Sequence, residues 1–175
     1  SLDKLAQARM RDASLPLLMG LRDEFGRLEH TLAGARQMVA DEAEDLLDDA
    51  SIRSLNRSLI PLLIANPSVT AFILADADGR GYLLLRNSDG TWTNRMTHPA
   101  AWGGRARFLV WRDARTLVAE SWREANYDSR TRPWYHGAVS LPDNAAFHWT
   151  EPYLFFASGL PGITLSMPVR SEQGS

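Results

Sequence analysis

The sequence of 175 residues predicts an α+β protein in which a long N-terminal helix precedes an antiparallel sheet flanked by short helices. Two observations support this fold class. Apolar residues recur at helical spacing over the first part of the chain, and from residue 69 onward β-branched and aromatic residues form short runs separated by turns. Helices that precede strands, instead of alternating with them, favour an antiparallel sheet. We therefore expect a helix over residues 1–48 and a globular module over residues 49–175.

The predicted N-terminal helix runs from about Leu5 to Leu47. Its apolar positions alternate spacings of three and four, and charged residues such as Asp23 and Arg27 occupy its other faces as i,i+4 pairs. This pattern fits packing against the same chain, and it also fits a helix that pairs with its copy in a dimer. Both interpretations remain open. The apolar positions form one stripe along the helix, here called the seam: Leu18, Leu21, Phe25, Leu28, Leu32, Ala35, Val39 and Leu46.

An acidic run at residues 41–49 follows this seam. Negative charges oppose the dipole of a helix near its C-terminus, so we expect the helix to bend or restart around Asp49 to Ser51. A second helix should then run to about Ile64 and end at Asn66-Pro67.

The strand segments begin with a meander whose turns lie at Asp78-Gly79 and Asp89-Gly90. A short helix is expected to begin near Pro133, since proline suits a first helical turn. The two segments after this helix should form a final hairpin. In chain order the predicted strand segments cover residues 69–76, 81–87, 91–97, 106–113, 116–122, 149–156 and 162–169.

Composition excludes several classes of function. The net charge is -2, and no window collects enough lysine and arginine to bind a phosphate backbone, so nucleic acid is not an expected partner. The chain has no cysteine and its four histidines lack metal-binding spacing, so no metal or other cofactor is expected. No nucleophile with an orienting partner is evident, and an enzyme is not expected. No apolar run is long enough to span a membrane.

The densest cluster of functional groups is the segment YDSRTRPWY, residues 127–135. Arg132 is followed by proline and two aromatic residues, so its guanidinium should lie against aromatic surface and can grip a carboxylate bidentately. Tyr127 and Tyr135 can donate hydroxyl groups, and Trp134 can supply a ring face.

A structural interpretation of the same segment is also open. Arg132 or Arg130 could pair with Asp128 or Glu124 and so hold a loop in place.

The segment resembles the signature of double Cache (dCache) sensor domains, which are PAS-like extracytoplasmic domains of bacterial chemoreceptors, histidine kinases and nucleotide cyclases. The amino-acid-binding branch of that family carries Tyr, four residues, Arg, one residue and Trp-Tyr, which matches Tyr127, Arg132, Trp134 and Tyr135. The order of helix, strands and hairpin is similar to the membrane-distal module. The resemblance implies that Arg132 and Trp134 bind a ligand carboxylate, that both tyrosines lie beside them, and that Tyr153 lines the pocket.

The chain departs from this pattern in two ways. In the amino-acid-binding branch an aspartate two residues past the tyrosine of a Pro-Tyr pair helps to hold the ligand amine, whereas here Tyr153 is followed by Leu154, Phe155 and Phe156. In that family a second acid lies on a central strand of the sheet, which follows the final hairpin. We expect this strand to lie beyond Ser175 or to come from elsewhere. The ligand is therefore expected to be an amino acid or a small organic acid that lacks an amine.

The function that the resemblance implies is ligand sensing in the periplasmic part of an inner-membrane receptor. Binding would be transmitted through the long helix, which is also expected to form a homodimer. Two alternatives remain open: a dimerisation or transmission module that binds no ligand, and an intracellular PAS-type module that binds a cofactor.

Overall fold

The computed structural model describes residues 23–42, 45–142 and 146–169. The chain divides between Gly34 and Ala35 into two compact units. The structure confirms the predicted α+β class: helices come first, and a five-stranded antiparallel sheet follows with further short helices and strands.

The first helix, α1, occupies residues 23–42, which confirms a helix over this part of the predicted span. In the first unit, the Arg27 side chain pairs with Glu24 one turn earlier, with an Nη2 to Oε1 distance of 2.6 Å. The predicted continuation to Leu47 is wrong, because residues 45–48 form a turn in which the Asp45 carboxylate accepts a hydrogen bond from the Leu47 amide. The seam positions Leu18 and Leu21 lie outside the described residues.

The second helix, α2, spans Asp49–Ala65, so the predicted restart near Asp49 is confirmed. Asp48 caps its N-terminus, since the carboxylate accepts hydrogen bonds from the amides of Ala50 and Ser51. The predicted end at Asn66 is also confirmed. One face of α2 is buried at helical spacing through Ile52, Leu55, Leu59 and Leu63.

The five strands of the main sheet pair in chain order as an antiparallel meander. Gly79 and Gly90 adopt φ angles of 82° and 86° in the first two turns, a conformation that glycine allows without strain. A short helix, α3 (Pro99–Trp102), joins the third strand to the fourth and was not predicted from the sequence. The strands are β1 (Ala71–Ala75), β2 (Gly81–Arg86), β3 (Trp92–Thr97), β4 (Arg105–Trp111) and β5 (Leu117–Glu124).

Side chains of the sheet alternate between two faces. One face of the sheet, here called the α2 face, packs against α2 and forms the hydrophobic core with it. Its core residues are Tyr82, Leu84, Trp92, Met96, Leu109 and Trp111. The opposite face, here called the site face, carries a row of cross-strand neighbours, Leu83, Arg95 and Phe108. β3 therefore places adjacent residues, Asn94 and Arg95, on opposite faces of the sheet.

The chain after the sheet forms a 3₁₀ turn at Ser129–Thr131 and the helix α4, Pro133–Val139, which confirms the short helix predicted from Pro133. The predicted final hairpin consists of two short antiparallel ladders: β6 (His148–Trp149) pairs with β9 (Leu165–Ser166), and β7 (Tyr153–Leu154) pairs with β8 (Pro161–Gly162). Within the described residues these ladders are separate from the five-stranded sheet, whose edges are β1 and β5. A further strand that completes the sheet stays a prediction.

Among the helices of residues 23–42, 45–142 and 146–169, none combines the length and apolar character that a membrane span requires.

Candidate functional site

The acid within the 127–135 segment is neutralised by its nearest arginine. Asp128 accepts hydrogen bonds from the backbone amide of Arg130 at 3.0 Å and from its guanidinium, with an Nη2 to Oδ2 distance of 2.7 Å. These bonds lower the pKa of the Asp128 carboxyl below its ordinary value. The structural interpretation of the segment therefore applies to Arg130, which holds the turn before α4.

Arg132 is placed differently. It has extended backbone geometry between the 3₁₀ turn and α4, as a residue before proline favours. Its Nη2 donates a hydrogen bond of 2.9 Å to the carbonyl oxygen of Leu154. Its guanidinium carbon lies 6.0 Å from the ring centre of Tyr127 and 5.5 Å from that of Tyr153. No ion pair of the described residues includes Arg132, so its charge is held among aromatic rings without an acid.

The aromatic residues predicted around Arg132 take distinct positions. Tyr127 and Trp134 are buried, at 8% and 7% exposure, and Trp134 Nε1 donates to the Tyr127 hydroxyl at 3.4 Å. Tyr135 packs its ring edge-on against Trp134 at 5.8 Å, and its hydroxyl donates to the carbonyl of Asp76 after β1 at 3.5 Å. The hydroxyl of Tyr135 is thus directed at the β1–β2 turn, and the ring of Tyr135 supports Trp134.

Tyr153 reaches the same site from the terminal hairpin. Its hydroxyl lies 2.6 Å from Thr164 Oγ1, and its ring packs edge-on against Phe155 at 5.4 Å. Partial burial raises the pKa of Tyr153, while the hydrogen bond to Thr164 and the charge of Arg132 oppose that shift. The structure therefore brings Tyr127, Arg132 and Tyr153 together.

A second arginine belongs to this site and was missed from the sequence. Arg95 lies on β3, is only 4% exposed, and holds its guanidinium carbon 3.9 Å from the ring centre of Tyr127 and 5.1 Å from that of Phe156. Its buried Nε has no hydrogen-bond partner, and no ion pair of residues 23–42, 45–142 and 146–169 includes it. Burial lowers the pKa of Arg95, with Arg132 acting in the same direction and Tyr127 opposing, yet an arginine stays charged at neutral pH.

The signal that could have found Arg95 is the alternation along β3. Trp92, Asn94 and Met96 share the α2 face, so Arg95 must lie on the site face between Thr93 and Thr97. Because β3 is the middle strand of a five-stranded meander, an arginine at its centre is enclosed by strands on both sides.

The helix α4 is fixed against the terminal hairpin at two points. Ser166 Oγ on β9 donates a hydrogen bond of 2.8 Å to the carbonyl of Trp134. A Cβ at Gly137 would overlap the ring of His148 on β6, so only glycine permits this close approach. These contacts pack α4, which carries Trp134, against the β6–β9 ladder.

Other parts of the described chain offer weaker candidates. No group of three or more His, Asp or Glu side chains in this part is arranged to hold a metal ion. A groove of about 500 Å³ lies beside α2 and the β2–β3 turn, and two of its charged residues make contacts within the chain. Arg86 donates to the Leu63 carbonyl and stacks on Trp92, and Asp113 accepts from the amides of the β4–β5 turn.

The fold and site together define an α+β module with two arginines on an aromatic cluster that contains no paired acid. No protein-family model, curated protein or solved structure matches the chain. Its function is therefore inferred from the geometry of the site and from the sequence resemblance given above.

Proposed function

We propose that the chain is the ligand-sensing domain of a bacterial transmembrane receptor of the double Cache kind, and that it binds a small ligand through a carboxylate. The observation that carries this proposal is the environment of Arg132. Asp128, the acid of this segment, pairs with Arg130. The Arg132 guanidinium therefore lies near the rings of Tyr127 and Tyr153, and its hydrogen-bond acceptor is the neutral carbonyl of Leu154.

A carboxylate at this position would replace a neutral hydrogen bond with a charged one. Hydrogen bonds between ionised partners are about twice as strong as neutral ones, and the fork of a guanidinium can present two parallel donors. Since the present acceptor is Leu154 of the terminal hairpin, an arriving carboxylate competes with a contact that joins this hairpin to the 127–135 segment. Ligand binding is thereby coupled to the packing of the hairpin.

The wider role rests on the resemblance. A double Cache domain lies in the periplasm as part of an inner-membrane protein, and ligand closure biases one of two arrangements of a dimeric helix. In this chain that helix would be the N-terminal one.

The test compares two arginines that are two residues apart. Wild-type protein, Arg132→Ala and Arg130→Ala are titrated calorimetrically with proteinogenic amino acids and small organic acids. Removing one partner of a buried, hydrogen-bonded charge pair lowers affinity roughly 30-fold or more. We expect that loss for Arg132→Ala. We expect wild-type affinity for the matched control Arg130→Ala, because the Arg130 guanidinium is paired with Asp128.

Three outcomes contradict the proposal. A wild-type protein that binds no carboxylate, together with an equally stable Arg132→Ala variant, favours a dimerisation or transmission module. Equal affinity of wild type and Arg132→Ala removes Arg132 from the site. A visible absorption band in the purified protein favours a cofactor-binding module.

A further inference from the structure

Arg95 and Arg132 approach one aromatic ring. Their guanidinium carbons lie 3.9 Å and 6.0 Å from the ring centre of Tyr127, so the two carbons are at most about 10 Å apart, the sum of these distances. Two like charges this close repel each other, and the lowered pKa of Arg95 reflects both its burial and the charge of Arg132.

The acids around the site do not neutralise these charges. In the part of the chain that the structure describes, Asp76 pairs with Arg80 at 2.6 Å, and Asp128 pairs with Arg130 at 2.7 Å. An arginine that is 4% exposed and has no acid beside it is costly, because burial removes its hydration without supplying a counter-charge. Neither Arg95 nor Arg132 belongs to an ion pair of the described residues, so the two guanidinium charges of the site have no acid beside them.

The orientation of Arg95 leaves its donors usable. Its guanidinium is close to the rings of Tyr127 and Phe156, and contact with ring faces directs the N–H groups sideways in the guanidinium plane, from where they can donate to a carboxylate. The Nε of Arg95 has no partner, and neither does the buried hydroxyl of Thr97, two positions along the same strand. Unsatisfied buried polar atoms in a folded protein call for a partner, and here two of them lie on one face of one strand.

We propose that the ligand is a small dicarboxylate without an amine, with one carboxylate on Arg132 and the other on Arg95. This inference rests on the proposed function and narrows it. Two carboxylates balance the two guanidinium charges, whereas an ammonium group would add a third positive charge. Phe155 and Phe156, which flank the site from the terminal hairpin, offer no acceptor for such an amine.

The first experiment needs no variant. The full chain is titrated with malonate, succinate and glutarate, with the monocarboxylates propionate and butyrate, with aspartate and glutamate, and with inorganic phosphate and sulfate. We expect at least one dicarboxylate to bind roughly 30-fold more tightly than the monocarboxylates, because it forms a second charged contact. We also expect it to bind more tightly than the amino acid with the same two carboxylates.

The second experiment assigns the preference to a residue. In Arg95→Met the ratio of dicarboxylate to monocarboxylate affinity should fall close to one. Arg53→Met is the matched control, because the exposed Arg53 guanidinium also stacks on a ring, 4.9 Å from the centre of Trp111, yet lies on α2 at the opposite face of the sheet. This control should retain the wild-type ratio.

The outcomes separate this inference from the proposed function. If monocarboxylates bind through Arg132 and dicarboxylates bind no more tightly, the proposed function stands and the inference of a dicarboxylate ligand is refuted. Tighter binding of aspartate or glutamate than of succinate or glutarate refutes it as well, and so does phosphate or sulfate binding as tight as that of any dicarboxylate. If no carboxylate binds, both proposals fail. Should Arg95→Met not fold, the wild-type affinities alone decide.

Discussion

Replacing Asn94 with alanine should destabilise the protein by roughly 2 to 6 kcal/mol, because this side chain satisfies several buried polar groups at once. Its Oδ1 accepts hydrogen bonds of 2.8 Å from Asn56 Nδ2 on α2 and of 2.8 Å from Trp111 Nε1 on β4. Its Nδ2 donates to the carbonyl of Leu83 on β2 at 3.0 Å. Asn94 thereby joins α2 to three strands of the sheet in the centre of the core.

The magnitude follows from the donors that alanine would leave without an acceptor. Asn56 Nδ2 and Trp111 Nε1 both lie in fully or nearly fully buried residues, and each unsatisfied buried group costs about 1 to 3 kcal/mol. Asn56 keeps its second contact, since its Oδ1 still accepts from the Tyr82 hydroxyl at 2.7 Å. A loss of this size is a large share of the 5 to 15 kcal/mol that typically stabilises a domain.

The assay is equilibrium unfolding in urea. Asn87→Ala is the control, because its amide donates to the Thr91 and Thr93 hydroxyls in a partly exposed turn, and it should cost less than about 1 kcal/mol. The double variant Asn56→Ala, Asn94→Ala should cost less than the sum of the single variants, since both lose the same bond. A loss below about 1 kcal/mol for Asn94→Ala, or strict additivity, would refute the reasoning.

Three further changes have expected outcomes. Gly137→Ala should lower the free energy of unfolding by about 1 to 3 kcal/mol, because its Cβ overlaps the ring of His148, and His148→Ala should relieve the defect in the double variant. Stability should decline below about pH 4, because a hydrogen bond from Arg107 holds the pKa of Asp49 below its ordinary 3.8. This contribution is present above 3.8 and is lost as the pH falls through the folded-state pKa, so thermal denaturation of Arg107→Met should show a weaker decline. Arg95→Met should keep or raise the melting temperature of the ligand-free protein, because it removes a buried charge without a partner, and a marked drop would assign Arg95 a structural role.

The strands could be predicted because each turn of the meander carries a local signal, such as Asp78-Gly79 and Asp89-Gly90. The end of α1 could not. Leu46 fits the apolar period of the helix and is buried as expected, but it reaches the core from a turn that the Asp45 side chain stabilises. Apolar spacing reports which residues are buried, and it does not report whether the backbone between them is still helical.

The same distinction applies to the site. Tyr127, Arg132 and Trp134 lie within a few residues of one another, so a local motif was enough to place them together. Arg95 comes from a distant strand, and its membership depends on the register of β3 with β2 and β4. An arginine in a strand is expected at the surface, because a charge is seldom buried without a partner. This expectation failed at Arg95, because the fold buries its charge without an acidic partner.

Asn94 and Arg95 are buried polar residues on opposite faces of β3, and they differ in how many hydrogen-bond partners the chain supplies. Both are nearly inaccessible, at 0% and 4% exposure. On the α2 face every partner of Asn94 is supplied by the chain, and each bond has good length. On the site face Arg95 keeps an unpaired Nε against two rings and faces a second arginine instead of an acid. A sequence that satisfies the first group so fully has the means to satisfy the second, for instance with a carboxylate at Phe156. Local departures of this kind concentrate at functional sites, where a bound group supplies what the fold leaves out. The contrast therefore favours an anionic ligand as the missing partner of Arg95.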